Sequence, residues 1–398
     1  MWTVALSQFG PGWPLRNVAA EFLSTSALIL ASTNLMLSTR IRPFEGAFGG
    51  LDKMYTSHRL NGMAVALLVA SHFLLMRKTA PFAPGGILGF TALALFLGSV
   101  FAATAPRAPW RRLVPLRYQE WKLLHRTMGL VVLIAVAHSF LVPKFVRALP
   151  LMLAWVYGFV LLGLLAYVYR EAIEGFAVRR HRYRVAHPEQ LSPDVFEVQL
   201  EPVAHPIRHR PGQFAFVSLE DGPSREQHPF TMSAAPAGGA LRFSIKASGD
   251  FTLALQSHVP DGSLASIEGP YGRFDFTKAG PRQLWLAGGI GITPFLAFAP
   301  TLDGSRDVRL VWAVHDTGDA VHGDELKRVA DAGVGLDLTV HVTSESGRLK
   351  LADLGLTQTR GLDVYICGPI PMRKAFVAEL RALGVPRDRI RFEEFSLR

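Results

Sequence analysis

The sequence predicts a two-part fold: an all-α, membrane-spanning bundle, followed by an antiparallel β-barrel and a parallel α/β sheet. Three observations carry this. Of the 398 residues, 49% are hydrophobic and only 19% are charged, below the ~25% typical of a soluble protein. The formal net charge of +10 is confined to one end, since residues 1–175 hold 16 Lys and Arg against 6 Asp and Glu, while residues 176–398 hold 26 of each. Near residue 175 the long apolar runs give way to short alternating runs punctuated by Gly and Pro. A basic balance usually suggests nucleic acid, but here it accompanies the most apolar part of the chain, which is the pattern of basic loops beside membrane spans. The single Cys367 excludes an intramolecular disulfide framework and an all-cysteine iron–sulfur site.

Five apolar stretches justify the bundle: Leu15–Ser38, Met54–Met76, Gly86–Ala105, Leu123–Leu141 and Leu149–Tyr169. Each has about the ~20 residues needed to cross a bilayer core. A soluble helical bundle would show amphipathic faces, which these runs lack. Met1–Trp13 has neither the basic start nor the apolar core of a cleaved signal peptide. The loops Thr39–Lys53 and Pro106–Lys122 carry Arg40, Arg42, Lys53, Arg107, Arg111, Arg112, Arg117 and Lys122, whereas the alternate loops carry Arg77, Lys78, Lys144 and Arg147. The positive-inside rule puts the first set in the cytoplasm. The expected location is the cell inner membrane, multi-pass, with the C-terminal half cytoplasmic.

Residues 1–175 contain four histidines, His58 and His72 in the second span, His125 and His138 in the fourth. The segments HRLNGMAVALLVASH and HRTMGLVVLIAVAH read as an internal repeat. Histidine within a span is costly and marks function. Parallel second and fourth spans put His58 and His125 at one depth and His72 and His138 at another, about 20 Å away. Two imidazoles from facing helices supply both axial ligands of a haem iron, so the pattern predicts two stacked b-type haems. A zinc site would need three or four ligands in one sphere, which two such layers do not provide. The 14-residue spacing keeps His58 and His72 on one face, but the 13-residue spacing turns His138 away from His125, so a bend or a ring reorientation is required. Gly62 and Gly129 are expected to admit a flat macrocycle, and Arg59 and Arg126 to pair with propionates.

In the cytoplasmic half, Phe196–Leu200, Gln213–Leu219 and Leu241–Lys246 read as barrel strands. Gln283–Leu286, Val308–Val314, Leu338–Val342 and Val364–Cys367, separated by helix-like segments, read as a parallel sheet. Three domains follow: residues 1–175, 176–280 and 281–398. Motifs punctuate the elements in order: His228-Pro229-Phe230-Thr231, Lys246 with Gly249-Asp250-Phe251-Thr252, Gly269-Pro270-Tyr271-Gly272, then Gly288-Gly289-Ile290-Gly291-Ile292-Thr293-Pro294, and Cys367-Gly368-Pro369. A strand running into a glycine-rich turn and a helix start is a pyrophosphate site, because glycines permit close backbone approach and the helix start favours the anion.

With these motifs in this order, residues 176–398 resemble ferredoxin–NADP reductase-type modules, and residues 15–398 resemble the NADPH oxidase and ferric reductase transmembrane superfamily, in particular its bacterial NADPH oxidases. The superfamily's usual core has six spans, of which five are visible here. The resemblance implies FAD, two haem b and NADPH or NADH as cofactors. His228, Pro229, Phe230 and Thr231 would hold the flavin; Lys246, Gly249, Asp250 and Thr252 the FAD diphosphate; Gly288, Gly289, Gly291 and Thr293 the dinucleotide pyrophosphate. Cys367, Gly368 and Pro369 would lie by the nicotinamide, Phe395 would stack on the isoalloxazine, and Arg348 would contact a 2′-phosphate. Cys367 is equally a buried small residue, Phe395 a tail residue and Arg348 a solvated surface cation.

The expected activity is transmembrane NAD(P)H oxidation with oxygen as acceptor, giving superoxide. A ferric chelate and an extracytoplasmic protein partner are the alternative acceptors. The outer segments Arg77–Gly85 and Val142–Pro150 are short and offer no metal-binding pattern, which favours a small acceptor, although Lys78, Lys144 and Arg147 would suit an anionic chelate. Lipid is the expected surroundings; nucleic acid is not an expected partner, and no obligatory protein partner is visible. A transporter with a regulatory domain would need no haem.

Overall fold

A computed structural model of the protein describes residues 14–76, 82–104, 118–142, 149–174, 180–220, 226–257, 259, 261–356 and 358–393, with Arg42, Thr104, Tyr118 and Gln119 described as backbone only. Two compact units emerge, divided at Ala177/Val178 except that residues 49–52 group with the second.

The first unit is all helix: α1 Leu15–Leu37, α2 Arg42–Phe48, α3 Leu51–Leu75, α4 Pro84–Thr104, α5 Tyr118–Arg126, α6 Met128–Leu141 and α7 Pro150–Val168. Pro150 opens α7, where its missing N–H costs nothing. Among the described residues five helices, with α5 and α6 counted together, are long and apolar enough to cross a membrane. Helix α1 packs along α7, and α4 along α6. At the α1–α7 crossing a Cβ on Gly163 would lie 2.7 Å from the Ser32 carbonyl oxygen, so the small residue sets the approach. Leu35, Val132, Val136 and Val160 form a small apolar centre. Many large apolar side chains point outward, among them Leu60, Leu67, Leu74, Leu151 and Leu165.

The fourth apolar stretch is broken. Helix α5 ends at Arg126, and Thr127 makes a tight turn, its amide and hydroxyl both reaching the Leu124 carbonyl at 3.1 and 2.7 Å. The helical hydrogen-bond pattern is thus interrupted at Thr127, between His125 and His138.

The second unit begins with a curled antiparallel sheet of six strands: β1 Arg180–Ser192, β2 Val195–Pro202, β3 Phe214–Leu219, β4 His228–Thr231, β5 Leu241–Lys246 and β6 Leu264–Tyr271, in the order β4-β3-β6-β1-β2-β5. Register shifts at Val185/His187 and Gln190/Ser192 bend the long β1, which pairs with both β2 and β6. Helix α8, Asp250–Ser257, follows β5. A parallel sheet comes next: β7 Arg282–Gly288, β8 Asp307–Val314, β9 Leu336–Val342, β10 Asp363–Cys367 and β11 Ile390–Phe392, ordered β11-β10-β7-β8-β9. Its helices include α9 Thr293–Phe298, α10 Gly323–Asp331 and α11 Ile370–Ala382. The strand order reverses between β7 and β10, and at such a switch point the strand ends leave a crevice for ligand. Apolar clusters cover both faces, one around Trp285, Phe295 and Trp312, the other around Leu286, Ile366 and Phe376.

Candidate functional site

In the barrel, β4 carries the HPFT motif and pairs with β3, placing Thr231 opposite Phe214 and His228 opposite Val217. The His228 ring stacks on Phe251 with centroids 3.7 Å apart, and its Nε2 lies 3.0 Å from Glu226. Two motifs separated in sequence thus meet through one ring pair. Phe230 packs on the barrel core, Pro229 is half-buried, and Thr231 is buried with no hydrogen-bond partner for its hydroxyl among the described residues. A buried hydroxyl left unpaired fits an external polar partner, as a flavin would supply. The Thr252 hydroxyl accepts from the amides of Ser248 and Gly249 at 2.9 and 3.0 Å, closing the turn ahead of α8, which Asp250 opens. Lys246, expected at the diphosphate, is held 2.8 Å from Asp194.

At the switch point the glycines divide the work. A Cβ on Gly291 would sit 2.3 Å from the Cys367 carbonyl oxygen, and one on Gly288 would sit 2.7 Å from Met372 Sδ and 2.9 Å from Pro369. A Cβ on Gly368 would meet Met372 and the Gly288 amide. These three glycines let the GGIG and CGP turns pack together. Gly289 differs: its φ is +51° and nothing lies within 4 Å of its Cβ position. It is the glycine with room for a ligand beside it, and the Trp312 indole pins its carbonyl at 2.9 Å. The turn is itself helical, Gly289–Ile292 running into α9, so Thr293 is buried inside the helical segment.

Cys367 ends β10 fully buried, and burial, with Glu393 second, pushes its thiol well above the usual range. It is built as a packing residue; nothing activates it as a nucleophile. Arg348 is exposed beyond Gly347, and Phe395 lies outside the described residues. Glu393 was not singled out in the sequence. It is buried, a Cβ on Gly272 would lie 3.0 Å from its Oε1, its Oε2 has no hydrogen-bond partner among the described residues, and burial pushes its carboxyl well above the usual range. A buried carboxyl thus sits beside the GPYG turn and Cys367. Glu268, equally buried, accepts from Tyr271 Oη and Gln227 Nε2 at 3.0 Å each, tying the GPYG turn to the residue before His228.

Residues 180–275 match the FAD-binding domain family. The ferredoxin–NAD(+) reductase component of the Xanthobacter autotrophicus alkene monooxygenase system is 30% identical over 233 residues, covering 54% of this chain and 70% of that one. The chain belongs to the FAD-binding ferredoxin reductase-like family. Its second unit is accordingly a flavin-dependent NAD(P)H oxidoreductase module that binds FAD and a nicotinamide nucleotide. A flavohemoprotein of Chromobacterium violaceum is 32% identical over 247 residues, 54% of this chain, and this chain spans 60% of its length. A solved flavohemoglobin from Malassezia yamatoensis, described with bound FAD and heme, matches 96% of each chain with TM-score 0.55 and 19% identity, a likeness of fold.

In the helical unit of this reductase the four histidines pair. The rings of His58 and His125 lie with centroids 5.9 Å apart, and His72 and His138 are within electrostatic range of each other. Nδ1 of His58, His72 and His138 meets the carbonyls of Asn34, Ala20 and Gly85 at 3.1, 2.8 and 2.6 Å. A ring that donates its Nδ1 proton to a carbonyl keeps the Nε2 lone pair for a metal, so these residues fit axial ligation. Trp121 stacks on His125. Among the described residues no three His, Cys, Asp or Glu converge on a multi-ligand metal site.

Several expected neighbours stand elsewhere. Arg126 donates to Glu171 at 2.9 Å, and Arg59 is exposed. A Cβ on Gly129 would collide with the Tyr167 ring at 2.5 Å, so that glycine admits a neighbouring helix's side chain where a macrocycle was expected, whereas one on Gly62 would make ordinary contact with Asn34 at 3.6 Å. Arg170, in the π-turn Tyr169–Ile173, is the cation within electrostatic range of both His58 and His125. Its intramembrane-edge position was the sequence signal available for it. The loop cations Arg77, Lys78, Arg107, Arg111, Arg112, Arg117, Lys144 and Arg147 lie outside the described residues.

Proposed function

We propose that the chain is a membrane-spanning NAD(P)H oxidase that moves electrons from cytoplasmic NADPH or NADH to oxygen on the outer side, making superoxide, with FAD and two bis-histidine b-type haems as resident cofactors. The observation that carries this reading is the pairing of His58 with His125 and of His72 with His138 on membrane-length helices, with three of the four Nδ1 atoms committed to carbonyls. The cofactors supply the redox chemistry: two-electron exchange with nicotinamide at the flavin and one-electron carriage at the haems.

The residues bind and orient. Carbonyls of Asn34, Ala20 and Gly85 fix three ligand rings, and the interruption at Thr127 separates His125 from His138. Thr231 and the His228–Phe251 stack hold the flavin, while the Gly289 turn receives the nucleotide. Arg348 is offered for a 2′-phosphate. The buried Glu393 carboxyl stands beside the GPYG turn and Cys367. Exposed leucines around the helical unit favour lipid as its surroundings, and the basic loops favour the inner membrane with the reductase unit cytoplasmic.

The test is a reduced-minus-oxidised absorption spectrum of purified protein, followed by NADPH-driven cytochrome c reduction with and without superoxide dismutase. A b-type signal with dismutase-sensitive reduction is expected. Absence of the b-type signal sinks the proposal. Dismutase-insensitive activity that persists anaerobically with a ferric chelate, or that needs an added protein acceptor, moves the acceptor from oxygen to that species.

A further inference from the structure

The two halves of the reductase unit have separate apolar cores, and what joins them at β5 is polar. Arg242 on β5 forks its terminal nitrogens onto the Glu325 carboxylate in the first turn of α10, at 3.0 and 2.8 Å, and also donates to the Ser233 carbonyl at 2.7 Å. His322, just before α10, has Nε2 3.0 Å from Ser244 Oγ on β5 and Nδ1 3.4 Å from Glu325. Ser244 donates to Glu197 on β2 at 3.1 Å. Glu197, Ser244 and His322 are all buried. Strand β5 also packs against the Gly289–Ile292 turn, and Ser233 lies two residues beyond Thr231.

We propose that Arg242, Glu325, His322, Ser244 and Glu197 form a latch that sets the angle at which the Gly289 turn, and with it the nicotinamide, meets the flavin. The inference rests on the assignment of this unit as an FAD and NAD(P)H module. Apolar contacts tolerate sliding, whereas a bidentate charge-assisted fork is directional, so one orientation of α10 over β5 satisfies every member. Two carboxylates share Arg242, and the His322–Ser244 link holds the buried one, so losing one member leaves others unpaired. Hydride transfer is steep in donor–acceptor geometry, and a displacement of about 1 Å costs up to ~100-fold. These are positioning residues; none is described as touching cofactor.

The test uses full-length protein loaded with FAD and the variants Glu325→Gln, Arg242→Met and their combination. Anaerobic stopped-flow should show the rate constant for flavin reduction at saturating NADPH or NADH falling at least about tenfold in R242M, with FAD content and half-saturating nucleotide concentration unchanged. The combined variant should be no slower than R242M, because both changes break one contact. Amide hydrogen exchange should quicken at 289–292 and in α10 while β7 and β10 keep their protection. Wild-type reduction rates in the variants, or exchange that quickens evenly through both halves, overturns the latch. Should R242M fail to take up FAD, the isosteric E325Q carries both measurements. If neither nucleotide reduces the wild-type flavin, the assignment of the unit fails, and the exchange pattern still decides the latch.

Discussion

His58 and His125 present their imidazoles to each other at 5.9 Å between centroids and 78° between planes. On the proposed reading, these two residues would hold one haem iron between them. On the proposed di-haem reading, replacing either residue with Ala should remove about half of the b-type haem bound, with the His72–His138 half retained, since each pair would be a complete axial set. A pyridine haemochrome assay on H58A and H72A measures this. Full haem content in H58A would refute the His58–His125 assignment.

Gly89 on α4 gives a second handle on the His72–His138 pair. A Cβ there would lie 2.8 Å from Cε1 and Nδ1 of His138, the ring tied to Gly85, whereas a Cβ on Gly98 of the same helix meets nothing within 4 Å. G89A should therefore shift the midpoint potential or lower the occupancy of one haem only, and G98A neither. Redox titration of both variants is the measurement, and identical titrations would count against His138 as a ligand.

The glycine turn should separate packing from ligand approach. In G291A the new methyl meets backbone at 2.3 Å and neither turn can yield without moving the other, so about 3 kcal/mol of stability should be lost, at the upper end for overpacking. In G289A the methyl faces open space at φ +51°, costing about 1 kcal/mol for the left-handed backbone. Nucleotide affinity should nonetheless fall more in G289A than thermal stability suggests. Calorimetric Tm and NAD(P)H titration together check the pair, and equal loss of both properties in the two variants would contradict the division.

Two carboxyls give the reductase unit opposite pH limbs. Burial alone would raise Glu325, but its hydrogen bonds with His322 and Arg242 outweigh that and hold it at about 2. Its folded value is depressed, so its contribution is present above the ordinary value of 4.5 and is lost as pH falls from there toward 2. Glu393 is raised by burial, so the folded state keeps a proton that the unfolded chain releases above about 4.5. Stability attributable to Glu393 therefore declines as pH rises above that value. Tm measured against pH should fall less steeply on the acid side in E325Q and less steeply toward alkaline pH in E393Q than in the unsubstituted protein. Curves parallel to the parent in both variants would show that neither group is linked to folding.

Much of this arrangement was legible in the chain. The strand segments read from alternating or apolar runs fall within β2, β5, β7, β8, β9 and β10, and Gln213–Leu219 overlaps β3 with Gln213 just outside it; several strands run a residue or two further where pairing continues past the apolar pattern. The long β1 was missed because its charged, alternating RHRYRV start resembles a basic linker until β2 and β6 pair with it. The five apolar stretches correspond to five long helices because hydropathy and length are local properties. The 13-residue spacing called for a bend or a ring reorientation, but the interruption at Thr127 depends on a hydroxyl and an amide sharing one carbonyl.

What the sequence by itself determined is everything written in local order: span length, loop charge, the paired histidines, and the glycine and proline turns that follow strands. Those features depend on neighbours within a few residues. What only the tertiary structure decided is which partner each polar group takes. Arg126 went to Glu171, Lys246 to Asp194, Gly129 to Tyr167, and Arg242 to Glu325 from 83 residues away. A hydrogen bond or close contact is a condition on distance in space, and folding brings together residues whose separation along the chain carries no trace of it.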